Sequence, residues 1–337
     1  MIRTSTAWDE RTTCVRVSTS VPADVAGAEP QGSSALPVRT QRERTAATVR
    51  AYVALTKPRV IELLLVTTVP TMVLAAGGLP PWRLLIATLA GGAGAAAAAN
   101  VLNCVLDRDI DQVMHRTSGR PLVTGAITPT AAVVFGLALT VLSLGWLALA
   151  VNPVSALLAG AAMIIYVVGY TMVLKRRTPQ NIVWGGIAGC VPVLIGWSAV
   201  TGSVGWAALL LFGVVFFWTP PHYWPLSMKF RRDYAAAGVP MLPVVADDRR
   251  VVREMVGYTI AMVACSIALG PVGGLGWVYL ASAVVLGGWF GWSVIALLRR
   301  ASDPTRGPLR AIGVFHRSIT YLTALSVAIV VDVLLPF

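Results

Sequence analysis

Long apolar runs alternate with short polar or basic segments along almost the whole chain after residue 50. Each run holds about 20 residues, enough for an α-helix to cross the roughly 30 Å hydrocarbon layer of a bilayer. The pattern predicts an all-α, polytopic membrane protein with nine transmembrane helices. The predicted spans are 61–79, 84–106, 129–149, 154–174, 182–200, 205–225, 253–273, 276–297 and 314–336.

Residues 1–50 show no apolar periodicity and mix Ser, Thr, Pro, Gly and Arg. This composition predicts a disordered cytoplasmic tail over 1–50, followed by a membrane domain over 51–337. An Arg-rich leader also fits a mitochondrial transit peptide. The acids in the segment, such as Asp9 and Glu10, and the lack of an amphipathic stripe favour a bacterial tail.

The composition supports a membrane protein, and the positions of the basic residues indicate why the net charge is positive. The chain is 56% hydrophobic and 12% charged, its mean hydropathy is +0.72, and its net charge is +12. The loops at 150–153, 201–204 and 272–276 contain no Lys or Arg, and only Arg83 lies on their side. The positive-inside rule therefore predicts a cytoplasmic N-terminus and a C-terminus outside. The excess of basic residues suits contact with anionic lipids and anionic substrates. Its one-sided distribution argues against nucleic acid as a partner.

Three oxygen-bearing side chains follow the apolar run at 84–106. Asn103, Asp107 and Asp111 are spaced i, i+4 and i+8, so on a helix they share one face, whereas Asp109 faces elsewhere. Mg²⁺ is usually held by one or two carboxylates together with substrate phosphates. The stripe therefore indicates half of a magnesium site for a diphosphate. The alternative is a membrane helix that ends in a charged cytoplasmic loop.

Basic and acidic residues nearby could complete such a site. Arg116 and Arg120 follow the stripe within about two turns and could neutralise phosphates. Lys229 and Asp233 have i, i+4 spacing at the end of the sixth run, which suggests a second diphosphate-binding helix end opposite the first. The alternative is a surface ion pair of little consequence.

Several isolated polar residues lie within or beside the spans. Asn181 begins the fifth run and needs a polar partner at that depth. His222 could be a haem-iron ligand, a base or a packing residue. Glu62 is either a functional carboxylate or a solvated one. Lys57 suits an anchor at the membrane interface, and Asp332 suits a position at the outer interface.

The N-x-x-x-D-x-x-x-D stripe identifies a resemblance to the intramembrane aromatic prenyltransferase superfamily. Further segments, spread over residues 52–334, make the chain resemble the branch of this superfamily that farnesylates haem b. Two positions depart from that branch: Arg232 stands where many members carry an acid, and Ile319 where many carry Asn. The matching segments are 56–59, 114–122, 174–182, 221–224, 233–243 and 315–322.

The resemblance implies nine helices around a central cavity and Mg²⁺-dependent transfer of a farnesyl group from farnesyl diphosphate to a vinyl group of haem b, giving haem O. It implies a plasma-membrane protein and leaves open contacts with other haem-pathway or oxidase-assembly proteins. The implied metal ligands and catalytic residues are Asp107, Asp111 and Asp233. The implied substrate-binding residues are Asn103, Arg116, Arg120, Lys175, Asn181, Lys229 and His222.

Two other functions compete with this interpretation. A sister enzyme acting on a quinone or chlorophyll precursor would share the Asn103–Asp111 stripe but lack the segments 175–181 and 240–243 in this form. A transporter would place broken helices and charges near the bilayer midplane. In this chain the charges cluster at one face and no inverted repeat is visible.

Overall fold

The structure is a computed structural model that describes residues 40–335, without the side chains of residues 60, 62–65 and 304. That part of the chain is helical and contains no strand. The first six helices are α1 Gln41–Thr56, α2 Pro58–Ala76, α3 Trp82–Leu106, α4 Arg108–Val113, α5 Pro129–Ala150 and α6 Pro153–Ile164, with the π-helical extension Ile165–Leu174. The others are α7 Asn181–Thr201, α8 Trp206–Lys229, α9 Arg231–Ala236, α10 Leu242–Val245, α11 Asp248–Val272, α12 Trp277–Ser302 and α13 Ala311–Leu334.

The helices confirm the predicted class of all-α, multi-pass membrane protein. Seven are long and apolar enough to cross a bilayer: α3, α5, α6 with its extension, α7, α11, α12 and α13. The two remaining predicted spans coincide with α2, whose described apolar part is Val66–Ala76, and with α8, which contains three prolines. The count of nine spans, their orientation and the central cavity stay predictions.

Packing among these helices brings distant parts of the chain together. Helix α2 packs against α7 and α13, and α8 packs against α7, α11 and α13. Helix α3 packs closely against α5, where a Cβ atom on Gly94 would lie 2.3 Å from Ser143 Oγ. Small residues of this kind let membrane helices approach each other. The end of α3 thereby contacts both the residue before α2 and the α6 extension, since Asn103 bonds to Lys57 and to Thr171.

Helix α1 corrects the predicted boundary at residue 50. It begins at Gln41 because Thr40 and Glu43 form a capping box: Thr40 Oγ1 accepts from Glu43 N at 3.3 Å, and Thr40 N donates to Glu43 Oε2 at 2.8 Å. The prediction of disorder is therefore wrong for residues 41–50. The rest of the predicted tail, residues 1–39, lies outside the described part, as does the side chain of Glu62.

Asp332 lies against the start of α12, beside the loop 272–276 that is predicted to lie outside, so its position at the outer interface stays a prediction. It is 7% exposed, and its carboxylate accepts from the backbone N–H groups of Gly276 at 2.6 Å and Tyr279 at 2.9 Å. These groups belong to the start of α12, which has no cap from a neighbouring side chain. Asp332 thus caps α12 from α13, where a negative charge also complements the helix dipole.

We expect Asp332→Ala to destabilise the protein by about 2 kcal/mol, because it leaves buried N–H groups without an acceptor. Asp332→Asn should cost less, since its amide oxygen still accepts one of the two bonds. Thermal unfolding in detergent measures both variants against Thr320→Ala, an exposed change on the same helix. An Asp332→Ala variant as stable as wild type would contradict the capping role.

Candidate functional site

The stripe at the end of α3 is buried, and its three members face one way. Asn103, Asp107 and Asp111 are 3%, 1% and 3% exposed. Helix α3 ends at Leu106, but backbone hydrogen bonds continue from Asp107 N to Asn103 O and from Asp111 N to Asp107 O, both at 2.9 Å. Because the helical register is kept across this junction, the predicted shared face is retained.

Asp109 points away from the stripe, as its spacing predicts. Its side chain is 64% exposed and forms a two-pronged ion pair with Arg176, with both N–O distances at 2.7 Å. The hydrogen bonds from this guanidinium lower the pKa of Asp109 to about 2. An exposed pair of this kind contributes little to stability.

Cations and one amide surround the two buried carboxylates. Lys175 Nζ lies 2.6 Å from Asp107 Oδ2, and Asn103 Nδ2 donates to the same oxygen at 2.8 Å. Arg120 forms an ion pair with Asp111. The predicted Lys175 and Arg120 therefore do lie beside the predicted acids. Each buried charge has a partner, which offsets the cost of removing it from water.

Lys57 is a site residue that the sequence interpretation missed. It was predicted to anchor at the membrane interface, but its Nζ donates to Asn103 Oδ1 at 2.6 Å. Lys57 links α1 to α2 with φ 53° and ψ 63°, a left-handed conformation that costs a non-glycine residue about 1–2 kcal/mol. Strain of this kind often marks functional sites. The sequence signal was a cation directly before the proline that begins α2.

The π-helical extension of α6 delivers two polar groups to the stripe. Within Ile165–Leu174, Thr171 Oγ1 accepts from Asn103 Nδ2 at 3.0 Å. The backbone N–H of Lys175 bonds to the carbonyl five residues earlier, at 2.8 Å. Because this turn is wider than that of an α-helix, the Lys175 side chain faces Asp107. π-Helical segments are rare and are often found at functional sites.

Lys229 and Asp233 form no ion pair within residues 40–335, and their role as a second diphosphate-binding helix end stays a prediction. Helix α8 ends at Lys229, and Phe230 leaves the helical conformation with φ −103° and ψ 24° before α9 begins. Backbone hydrogen bonds nevertheless continue across this junction, from Phe230 N to Leu226 O at 3.3 Å and from Tyr234 N to Phe230 O at 3.2 Å, as they do at Asp107. Lys229 is exposed and lies 5.6 Å from the centre of the Phe230 ring.

Asp233 contacts the segment that follows the Asn103–Asp111 stripe. Its Oδ2 accepts from the backbone N–H of Arg116 at 3.3 Å. The Arg116 guanidinium lies 3.5 Å from the hydroxyl of Tyr234, which in turn lies 2.8 Å from the Tyr223 hydroxyl. Burial raises the pKa of Tyr234, so this hydroxyl stays protonated. The two polar helix ends are thus adjacent, as predicted, although the contacts differ.

The three predicted metal ligands are not gathered into one cluster. No group of three acidic, His or Cys side chains in the described residues is arranged to hold a metal ion. Asp107 and Asp111 instead pair with Lys175 and Arg120. However, Asp107 Oδ1 is buried and has no hydrogen-bond partner among the described residues. A buried carboxylate oxygen without a partner calls for an explanation, and a hard cation would satisfy it. The residues present therefore fit Mg²⁺.

His222 lies in an aromatic stack. Its ring stacks on Trp218 at 4.0 Å and on Phe315 at 4.7 Å between ring centres, and its Nδ1 lies 2.7 Å from Ser318 Oγ. These contacts agree with the packing alternative. A substrate-binding role for His222 stays a prediction.

Asn181 is fully buried at the start of α7. Its Nδ2 donates to the backbone carbonyl of Thr178 at 2.7 Å, and its Oδ1 has no hydrogen-bond partner in the part of the chain that the structure describes. The side-chain N–H of Asn181 thus satisfies a backbone carbonyl of the loop before α7, and its amide oxygen stays available as an acceptor. Its predicted contact with substrate stays a prediction.

Known proteins resemble the chain over most of its length. A family model described as the UbiA prenyltransferase family matches residues 64–319. A protein of Kineococcus radiotolerans named "Protoheme IX farnesyltransferase" is 57% identical over 295 residues, which are 84% of this chain and 87% of the relative. A protein of Frankia alni with the same name is 59% identical over 288 residues, 85% of this chain and 98% of the relative.

The fold also resembles a solved structure described as a UbiA homolog from Archaeoglobus fulgidus bound to DMAPP and Mg²⁺. The TM-score is 0.58 at 19% sequence identity, with 83% of this chain and 99% of that chain covered.

Proposed function

The chain belongs to the UbiA prenyltransferase family, and from that premise we propose that it transfers a farnesyl group from farnesyl diphosphate to a vinyl group of haem b, giving haem O. The names of its relatives support this acceptor and donor. The observation that carries the chemistry is the buried Asp107, which combines a partnerless oxygen with two close donors, Lys175 and Asn103.

The diphosphate end of the donor would bind among the acids and cations at the end of α3. Asp107 and Asp111, with Asp233 on the neighbouring segment, would hold Mg²⁺. When bound, Mg²⁺ supplies positive charge that neutralises the diphosphate oxygens as the bond to carbon breaks. Lys175 and Arg120 already lie against these acids, and they would turn part of their charge toward phosphate oxygens.

The reaction breaks the C–O bond of farnesyl diphosphate, and the electron pair stays on the diphosphate. The freed allylic carbon bonds to the terminal carbon of the vinyl group, which leaves positive charge on the inner vinyl carbon. Water adds its oxygen there and loses a proton. The cations of the site stabilise the leaving group, while the apolar helices keep water from the allylic cation before it reacts.

The contact between α7 and the π-helical segment allows a test of positioning. A Cβ atom on Gly185 would lie 2.2 Å from Cδ2 of Tyr170, whereas one on Gly189 would meet nothing within 4 Å. We expect Gly185→Ala to lower turnover about tenfold to a hundredfold, because shifting Tyr170 moves the turn that carries Lys175. Gly189→Ala should leave turnover near wild type. Equal rates for the two variants would contradict a role for this turn in positioning Lys175.

We also propose that the protein lies in the plasma membrane with its N-terminus in the cytoplasm and its C-terminus outside. The one-sided distribution of Lys and Arg supports this orientation. Reporter fusions at Asn152, Gly202 and Gly274 should then report the outside, and fusions at Arg177 and Arg300 the cytoplasm. A cytoplasmic signal at two of the first three positions would rule it out.

The acceptor is tested by supplying haem b and 4-hydroxybenzoate in parallel to the protein in membranes, each with labelled farnesyl diphosphate. The proposal predicts label in the haem fraction and release of diphosphate, both only with Mg²⁺. Label in 4-hydroxybenzoate instead would identify a quinone-precursor enzyme. Absence of diphosphate release with either acceptor would contradict prenyl transfer.

A further inference from the structure

A groove lies between α12 and α13, on helices other than those that carry the acidic stripe. Its volume is about 360 Å³. The loop 303–310 joins the two helices at one end of the groove. The residues that line it are Trp289, Trp292, Ser293, Ala296, Leu297, Arg300, Arg310, Gly313, Val314 and Arg317.

The lining residues form one stripe on each helix. On α12, Trp289, Trp292 and Arg300 fall at i, i+3 and i+11, whereas Arg310 directly precedes α13 and Arg317 lies in the second turn of that helix. At 1.5 Å per residue, Trp289 lies about 16 Å along α12 from Arg300. The groove is therefore basic at the end near the loop and aromatic further into the membrane span. An anionic amphiphile has the matching arrangement, with a charged head and an apolar tail.

Within the described part of the chain, the arginines of the groove have no acidic partner. No carboxylate of the described residues forms an ion pair with Arg300, Arg310 or Arg317. The nearest acid in sequence, Asp303, accepts instead from Thr305 and Arg306. Arginine presents planar donors that match phosphate oxygens. Three such groups without a partner at one cavity favour an anion from outside the chain.

The backbone at the mouth of the groove is strained and open. Arg310 has φ 52° and ψ 35°, a conformation unusual for a residue other than glycine, asparagine or aspartate. It precedes α13, whose first N–H groups have no side-chain cap, and a Cβ atom on Gly313 would meet nothing within 4 Å. The positive end of the α13 dipole therefore adds to the attraction of the arginines for an anion.

We propose that this groove binds the phosphate headgroup of an anionic phospholipid, with its acyl chains along the tryptophan side of α12. Trp292 is 61% exposed and Trp289 is 39% exposed, so the aromatic end of the groove opens toward the lipid side of the helices. Tryptophan is enriched at membrane interfaces, and clusters of Arg beside membrane helices attract anionic lipids. A free phosphate would use the arginines and leave the indoles exposed.

The test compares two double variants of the full chain in detergent by native mass spectrometry. Arg310→Asn with Arg317→Gln removes two groove charges, and Asn tolerates the left-handed conformation at 310. The matched control is Arg249→Gln with Arg253→Gln, which removes two exposed charges at the start of α11. Each protein is titrated with phosphatidylglycerol and with phosphatidylcholine, and thermal unfolding checks that the variants are folded.

We expect wild type and control to retain one phosphatidylglycerol in preference to phosphatidylcholine, and the groove variant to lose at least about tenfold in that affinity. Equal retention of the two lipids by wild type, or equal losses in groove variant and control, would overturn the proposal. Displacement of the lipid by millimolar inorganic phosphate would assign the groove to a free anion. Stoichiometric displacement by haem b would assign it to that substrate. Either of these results would also overturn the lipid assignment.

Discussion

Replacing Asp107 by Asn is expected to lower turnover at least about a hundredfold while the protein stays folded. The amide keeps the shape of the carboxylate and removes the charge that would bind Mg²⁺. It also removes the negative charge that pairs with Lys175, whose Nζ lies 2.6 Å from Asp107 Oδ2. Groups that stabilise developing charge in a transition state are typically worth 10²–10³ in rate. Labelled haem formed per folded protein is the measurement, with folded yield from size-exclusion chromatography.

The same helix offers a matched control for this change. Asp111→Asn should cause a comparable loss, because Asp111 is buried and paired with Arg120. Asp109→Asn should cost less than tenfold, since Asp109 is exposed and an exposed ion pair contributes at most about 1 kcal/mol. Equal losses at all three positions would show that burial and helical facing do not decide which carboxylate acts.

Replacing Asp233 by Asn is expected to lower turnover at least about a hundredfold and to weaken the response to Mg²⁺. Asp233 accepts from the backbone of Arg116, which places a carboxylate beside the segment that follows Asp111. A diphosphate carries more charge than one helix end can neutralise, so a second acid with its metal should contribute to leaving-group stabilisation. Initial rates over a range of Mg²⁺ concentrations measure both effects.

The neighbouring Arg232 gives the control for this second prediction. It is exposed and beside Asp233 in the chain, so Arg232→Asp should be tolerated. Near-normal activity of Asp233→Asn at limiting Mg²⁺ would place the second half of the site elsewhere. Loss of activity in Arg232→Asp comparable to that in Asp233→Asn would indicate a general effect of charge on this segment.

The parts of the structure that depend on periodicity were predictable. Apolar runs of about 20 residues determine the long helices. The 3.6-residue period determines that Asn103, Asp107 and Asp111 face one way and that Asp109 does not. Arg120 was expected near the acids because it follows them within about two turns, whereas Lys175 was named only through the family resemblance.

The parts that depend on local departures from a regular helix were not predictable in the same way. Lys229 lies against the Phe230 ring rather than against Asp233, whose carboxylate accepts from the backbone N–H of Arg116. A π-helical turn directs Lys175, and a left-handed backbone directs Lys57 toward Asn103. These conformations depend on tertiary contacts, which spacing along the chain does not encode. The capping box of Thr40 and Glu43 was visible in the sequence and marks where α1 begins.

The most direct test of the central claim is mass spectrometry of the haem recovered after incubation of the protein in membranes with haem b, farnesyl diphosphate and Mg²⁺. The proposal predicts a product that carries one farnesyl group and one hydroxyl on a former vinyl side chain. Fragmentation should locate both on that side chain, and Asp107→Asn should yield almost none of the product. Recovery of unmodified haem b from wild-type protein that still releases diphosphate would contradict the claim.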